Sequence, residues 1–114
     1  MSAHTHDHDH ASRPDGWSLS SDEELRRGAR ILAAIGDVER LRLLQLIAPG
    51  ELCVSELVEL SDAKPTTVSQ RLRLLRDHDL VRTRREGKHV YYRLADDHVI
   101  ALLRSAIEHA VEAD

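Results

Sequence analysis

The stretch from Lys64 to Ala95 constrains this chain more than any other. It reads KPTTVSQRLRLLRDHD and runs straight on into LVRTRREGKHVYYRLA. In the first half Val68, Leu72 and Leu75 recur at helical spacing, and Pro65 sits where a first helical turn tolerates it. In the second half LVRTRRE and KHVYYRLA each alternate apolar and polar residues, and the Gly87 region between them supplies a hairpin turn. A polar-faced helix feeding directly into a charged hairpin leaves few folds open.

The rest of the chain narrows the choice. SSDEELRRGARILAAIGD opens with Ser/Asp caps and acidic residues, then carries Leu25, Ala29, Leu32 and Ala33 at helical spacing until Gly36 and Asp37 interrupt it. VERLRLLQLIAPG predicts a second helix, with Leu41, Leu44 and Ile47 facing inward and Pro49-Gly50 as its stop. CVSELVELS predicts a short third helix capped by Ser55, and a last helix is expected from about residue 97 to 112. Two short helices joined by a tight turn and followed by a basic hairpin describe a winged helix-turn-helix. The predicted class is mainly α with a β-hairpin wing, in the order α-α-α-α-β-β-α; a generic α+β domain is the rival. Residues 1–18 are polar and His-rich and are expected to form a flexible arm, leaving 19–114 as one DNA-binding and dimerisation domain.

Charge points to the partner. The 114 residues carry a net −4, but residues 64 to 93 hold nine Lys/Arg against three Asp/Glu. That segment is therefore +6 while the remainder is −10. A basic segment within an acidic chain suits a nucleic-acid reader, with a merely solvated basic face as the alternative. No apolar run is long enough to span a membrane, and no membrane partner is expected. With Cys53 as the single cysteine there is no disulfide framework, so a reducing cytoplasm is the expected location.

In a helix-turn-helix the second helix enters the major groove and uses residues near its N-terminus on base edges. Here those are Thr66, Thr67, Ser69, Gln70 and Arg71. Gln pairs with adenine edges, Arg with guanine, and a Thr methyl meets thymine. Arg73 and Arg76 are better placed for phosphate, and the hairpin adds Arg82, Arg84, Arg85, Lys88 and His89. Binding through so many cations should weaken steeply with salt.

The last helix raises a different chemistry. It begins at Asp96 and His98 and closes at His109 and Glu112. Eleven steps of about 100° bring the two histidines to within about 20° of one face, yet they stand roughly 16 Å apart along the axis. Zinc–nitrogen bonds are about 2.0–2.1 Å, so one ion cannot touch both in a single chain. Two such helices packed antiparallel about a twofold axis would bring Asp96 and His98 of one chain to His109 and Glu112 of the other, twice. A closed shell of two imidazoles and two carboxylates suits a structural or regulatory zinc site. The bland alternative makes Asp96 an N-cap and the other pair a solvated turn.

The run ELCVSEL…VSQRLRLLRDHDLVRTRREGKHVYYRLADDHV…EHAVE resembles the ArsR/SmtB family of metal-sensing repressors over roughly residues 20 to 112. In its zinc-sensing branch the last helix carries D-x-H-x(10)-H-x-x-[EH], which Asp96, His98, His109 and Glu112 match without a gap. The resemblance implies a homodimer, joined through the N- and C-terminal helices, that binds operator DNA when metal-free and releases it when zinc fills the inter-subunit sites. Members that sense thiophilic ions often carry C-x-C near the third helix; here Ser55 stands where the second cysteine would be, which counts against a trigonal thiolate site. In some zinc-sensing relatives a lone cysteine there pairs with an acidic residue three positions on and with ligands from the partner's N-terminal arm. Cys53 and Glu56 match the first half, and His4, His6, His8 and His10 offer imidazoles for the second.

The expected function is thus a dimeric repressor that responds to Zn2+, with Co2+ as a surrogate and other divalent ions possible, on an imperfectly palindromic operator. No nucleophile–base pairing points to an enzyme. Two rivals stand: a winged-helix regulator with a redox or small-molecule input, and a zinc-buffering protein.

Overall fold

The computed structural model describes residues 18–113, so His4, His6, His8 and His10 lie outside the described residues. Five helices and three strands follow in the order α1 (Asp22–Ile35), α2 (Val38–Ile47), β1 (Leu52–Cys53), α3 (Val54–Ser61), α4 (Pro65–Asp77), β2 (Val81–Glu86), β3 (His89–Leu94) and α5 (Asp97–Glu112). This is the winged helix-turn-helix expected from the sequence, with one addition. The two-residue β1 joins the hairpin as a third antiparallel strand, giving the order β1-β3-β2.

Local chemistry sets the boundaries. Ser21 and Glu24 form a reciprocal capping box on α1: the Glu24 N–H donates to Ser21 Oγ at 3.1 Å and the Ser21 N–H to Glu24 Oε1 at 2.8 Å. Asp37 caps α2 by accepting from the Arg40 N–H at 3.0 Å. The cap of α3 differs from expectation. It is Cys53, one step ahead of the helix, and Glu56 reaches back to accept the Cys53 N–H at 2.9 Å, so Ser55 falls inside the first turn. Asp62, at φ 56°, turns the chain from α3 toward α4. Gly87, at φ 61°, makes the tight end of the hairpin, where Glu86 faces His89.

The core lies between the helices and the inner face of the sheet. Leu43, Leu44, Ile47, Leu57, Val68, Leu72 and Leu75 are buried completely or nearly so, joined by Leu80 and Val81 from the hairpin entry and by Val99 and Leu103 from α5. The expected inward residues of α4 (Val68, Leu72, Leu75) are all among them. On α1 the outcome is different. Leu25 and Leu32 remain 60% and 57% exposed, while Ala34 and Ile35 at the helix end are the residues buried. The chain spends the end of α1 on its own core and leaves the Leu25–Leu32 stripe uncovered.

Candidate functional site

The α4 surface carries polar groups on the side opposite its buried stripe. Thr66, Ser69, Gln70, Arg73 and Arg76 are exposed, and Thr67 and Arg71 are half-buried. Arg71 lies along a shallow groove with Ser61, Asp62 and the Glu39–Arg42 ion pair, beside the turn between α3 and α4. Lys64 precedes the helix without a side-chain cap bond and Pro65 has no N–H, so Thr66 and Thr67 carry the first helix N–H groups, without a side-chain cap from Lys64.

The hairpin extends this surface, and its cations are not equivalent. Arg85, Lys88 and His89 are exposed and make no ion pair among the described residues. Arg82 pairs loosely with Asp79, at 3.4 Å. Arg84 is bound on several sides, to Glu51 at 2.9 Å and Glu86 at 3.0 Å, with its guanidinium 4.8 Å from the centre of the Tyr91 ring. The hydrogen bonds from Arg84 hold the Glu51 carboxyl below its ordinary range. Sequence reasoning missed Glu51 and Tyr91, because nothing local marks a contact between residues so far apart along the chain.

The candidate metal donors divide between the two ends of α5. Asp96 is the N-cap, with Oδ1 accepting from the Val99 N–H at 3.2 Å, and that bond is the main reason its carboxyl is held low. His98 Nδ1 lies 3.6 Å from the same oxygen, and the imidazole is 98% exposed. His109 and Glu112 are exposed in the last turn. A helix of 16 residues is about 24 Å long, so the two pairs stay apart within one chain. Among the described residues no three His, Cys, Asp or Glu side chains gather closely enough to hold an ion. Each end nevertheless presents one imidazole and one carboxylate to solvent, with neither carboxylate in an ion pair to Lys or Arg among the described residues. The donor chemistry fits a borderline divalent ion as two halves of a site.

Cys53 is buried, with Sγ 3.2 Å from Ser55 Oγ. Glu56 stands beside it, but one of its oxygens is committed to capping α3, and that bond lowers its pKa. The structure therefore brings Cys53 and Glu56 together as neighbours of one helix cap.

Comparison with known proteins agrees with this architecture. The family model described as "Bacterial regulatory protein, arsR family" matches residues 37–83, from the cap of α2 into β2. The transcriptional repressor SmtB homolog of Synechocystis sp. is 39% identical over 102 residues, covering 90% of this chain and 75% of its own length. The cadmium resistance regulatory protein CadC homolog of Staphylococcus aureus is 35% identical over 85 residues, covering 74% of this chain and 70% of its own. Among solved structures, the antimony-specific repressor AntR superposes with a TM-score of 0.76 at 30% identity, over 90% of this chain and 95% of that one. The homodimeric winged helix-turn-helix domain Mb0332 of Mycobacterium bovis superposes with a TM-score of 0.76 at 33% identity, over 84% and 92%. The chain therefore belongs to the ArsR family of bacterial regulatory proteins, and it is a winged helix-turn-helix transcriptional regulator rather than an enzyme.

Proposed function

We propose that this protein is a homodimeric repressor that binds operator DNA through α4 and the wing and releases it when Zn2+ joins the two subunits at α5. One observation carries the reading: Asp96 with His98 and His109 with Glu112 occupy opposite ends of one helix, each pair exposed and incomplete. Antiparallel pairing of two α5 helices completes both, with Asp96 and His98 from one subunit and His109 and Glu112 from the other. The uncovered Leu25 and Leu32 of α1 and Val111 of α5, 68% exposed, supply apolar surface for that pairing. Zinc would draw the two helix ends together as a structural cross-link without taking part in a reaction.

The relatives' names span different ions, cadmium and antimony among them, so the choice of zinc rests on the donors here. Two imidazoles and two carboxylates lack the thiolates that soft ions prefer, and Cys53 has Ser55 where a second cysteine would be needed. The second site, built on Cys53 and Glu56 with the arm histidines of the other subunit, is an addition to this scheme. The DNA surface comprises Thr66, Thr67, Ser69, Gln70 and Arg71 toward bases, with Arg73, Arg76, Arg82, Arg85, Lys88 and His89 toward phosphate.

By reciprocity, DNA must weaken metal binding by the factor by which metal weakens DNA binding. The test is an anisotropy titration on a duplex from the promoter region of the protein's own gene, with Zn2+ or Co2+ added and then chelated. Reversible release is expected, and His98→Ala should abolish it while leaving metal-free binding intact. Tight zinc binding with undiminished DNA affinity would instead favour a non-metal signal, and zinc binding with no DNA affinity would favour buffering.

A further inference from the structure

Arg84 is set apart from the other wing cations by what already surrounds it. Its Nη2 donates to Glu51 Oε1 at 2.9 Å and its Nε to Glu51 Oε2 at 3.2 Å and Oε1 at 3.1 Å, while Nη1 donates to Glu86 Oε1 at 3.0 Å. Tyr91 covers a face of the guanidinium at 4.8 Å. The Glu51 contact is the two-point fork that arginine makes and lysine cannot. An isolated surface pair contributes little, but a forked pair extended to a second carboxylate and an aromatic ring is the kind that holds geometry. With two carboxylates on one guanidinium, the triad is net negative, which is the wrong sign for gripping a phosphate.

Its location gives the triad a purpose. Tyr91 pairs with Arg84 on β2 and with Cys53 on β1, so one rung runs across all three strands. Glu51 lies one residue ahead of β1, and β1 leads directly into α3. The contact therefore ties the free hairpin to the first helix of the helix-turn-helix.

Resting on the reading that the wing meets DNA, we propose that Arg84 is a positioning residue, clamped by Glu51 so that wing and helix-turn-helix move as one body, and is not itself a phosphate ligand. Arg85, exposed on the neighbouring position and unpaired among the described residues, is a phosphate-neutralising residue of β2.

Two measurements on the full chain test this. The first is the salt dependence of binding to a mixed-sequence DNA duplex. Arg85→Gln should flatten the log–log slope by about 0.9 per protomer, the share of one lost phosphate contact. Arg84→Gln should displace the line to weaker binding without changing its slope. Arg84→Lys should fare no better than Arg84→Gln, because it keeps the charge but loses the fork. The second is hydrogen exchange, in which Arg84→Gln, Arg84→Lys and Glu51→Gln should each speed exchange of the β2–β3 amides by roughly tenfold while the α2 and α4 amides stay protected. A slope flattened by Arg84→Gln and preserved by Arg84→Lys, or wing amides unmoved by all three changes, would overturn the proposal. A parent chain lacking salt-dependent DNA affinity would sink the regulator reading instead, and the exchange comparison would still decide whether Arg84 holds the wing.

Discussion

Asp37 shows how a single side chain joins two elements. It accepts from the Arg40 N–H at 3.0 Å to start α2, while the Arg40 side chain donates back to Ala34 O at 2.7 Å, near the end of α1. The capping bond is the largest reason that the Asp37 carboxyl sits below its ordinary range, and the Glu24 and Glu51 carboxyls are lowered by their own partners. A carboxyl lowered in the folded state adds stability that is complete above its unfolded value and is lost as pH falls through the folded one. Thermal melts of the metal-free protein should therefore hold steady above pH ~5 and decline below pH ~4. Asp37→Asn should lower the plateau and shrink the acid decline; a decline of unchanged size would remove Asp37 from that account. In the core, Leu72 is fully buried on the inner side of α4. Leu72→Ala should cost about 2–5 kcal/mol in urea unfolding, through lost burial and the cavity left behind.

At the scale of elements, Gly87 makes the turn of the wing. Its φ of 61° suits glycine, and a Cβ there would meet nothing within 4 Å, so the cost of a side chain is conformational alone. Gly87→Ala should destabilise by about 1 kcal/mol without disturbing the core, a loss visible as faster exchange at the hairpin tip. The helices and this hairpin were legible because period 3.6 and period 2 are written in the residues themselves. Val68, Leu72 and Leu75 faced inward as their spacing required. Three features were not legible. The strand β1 is two residues long, too short to show alternation. The α3 cap fell on Cys53 because the Glu56 carboxylate reaches the Cys53 N–H, outweighing the better capping propensity of Ser55. The Arg84–Glu51 contact joins exposed residues from separate elements, which no local pattern records. The division of the candidate metal donors between the ends of α5 was legible from helical rise alone. For the second site, Cys53→Ser should remove one zinc equivalent per protomer in a competition titration; unchanged stoichiometry would end that part of the scheme.

For the whole molecule, the proposed sharing of donors between subunits makes a test that no monomeric scheme survives. His98→Ala and His109→Ala homodimers should each lack zinc-induced release from DNA. Mixed dimers of the two should recover it in part, because one site loses both histidines while the other keeps His98 from one subunit and His109 from its partner. No recovery in heterodimers purified through separate tags would overturn the shared sites. The strand order adds a last consequence. With β3 in the middle, the outer backbone edge of β2 has no neighbouring strand among the described residues, and β2 carries Arg82, Arg84 and Arg85. An open strand margin invites other molecules to add to it, and closely spaced like charges are a common defence. Arg82 and Arg85 are therefore expected to guard that edge against stacking between copies, Arg84 being already neutralised by Glu51 and Glu86. A variant neutralised at Arg82 and Arg85 should scatter light and precipitate at temperatures where its fold is still intact.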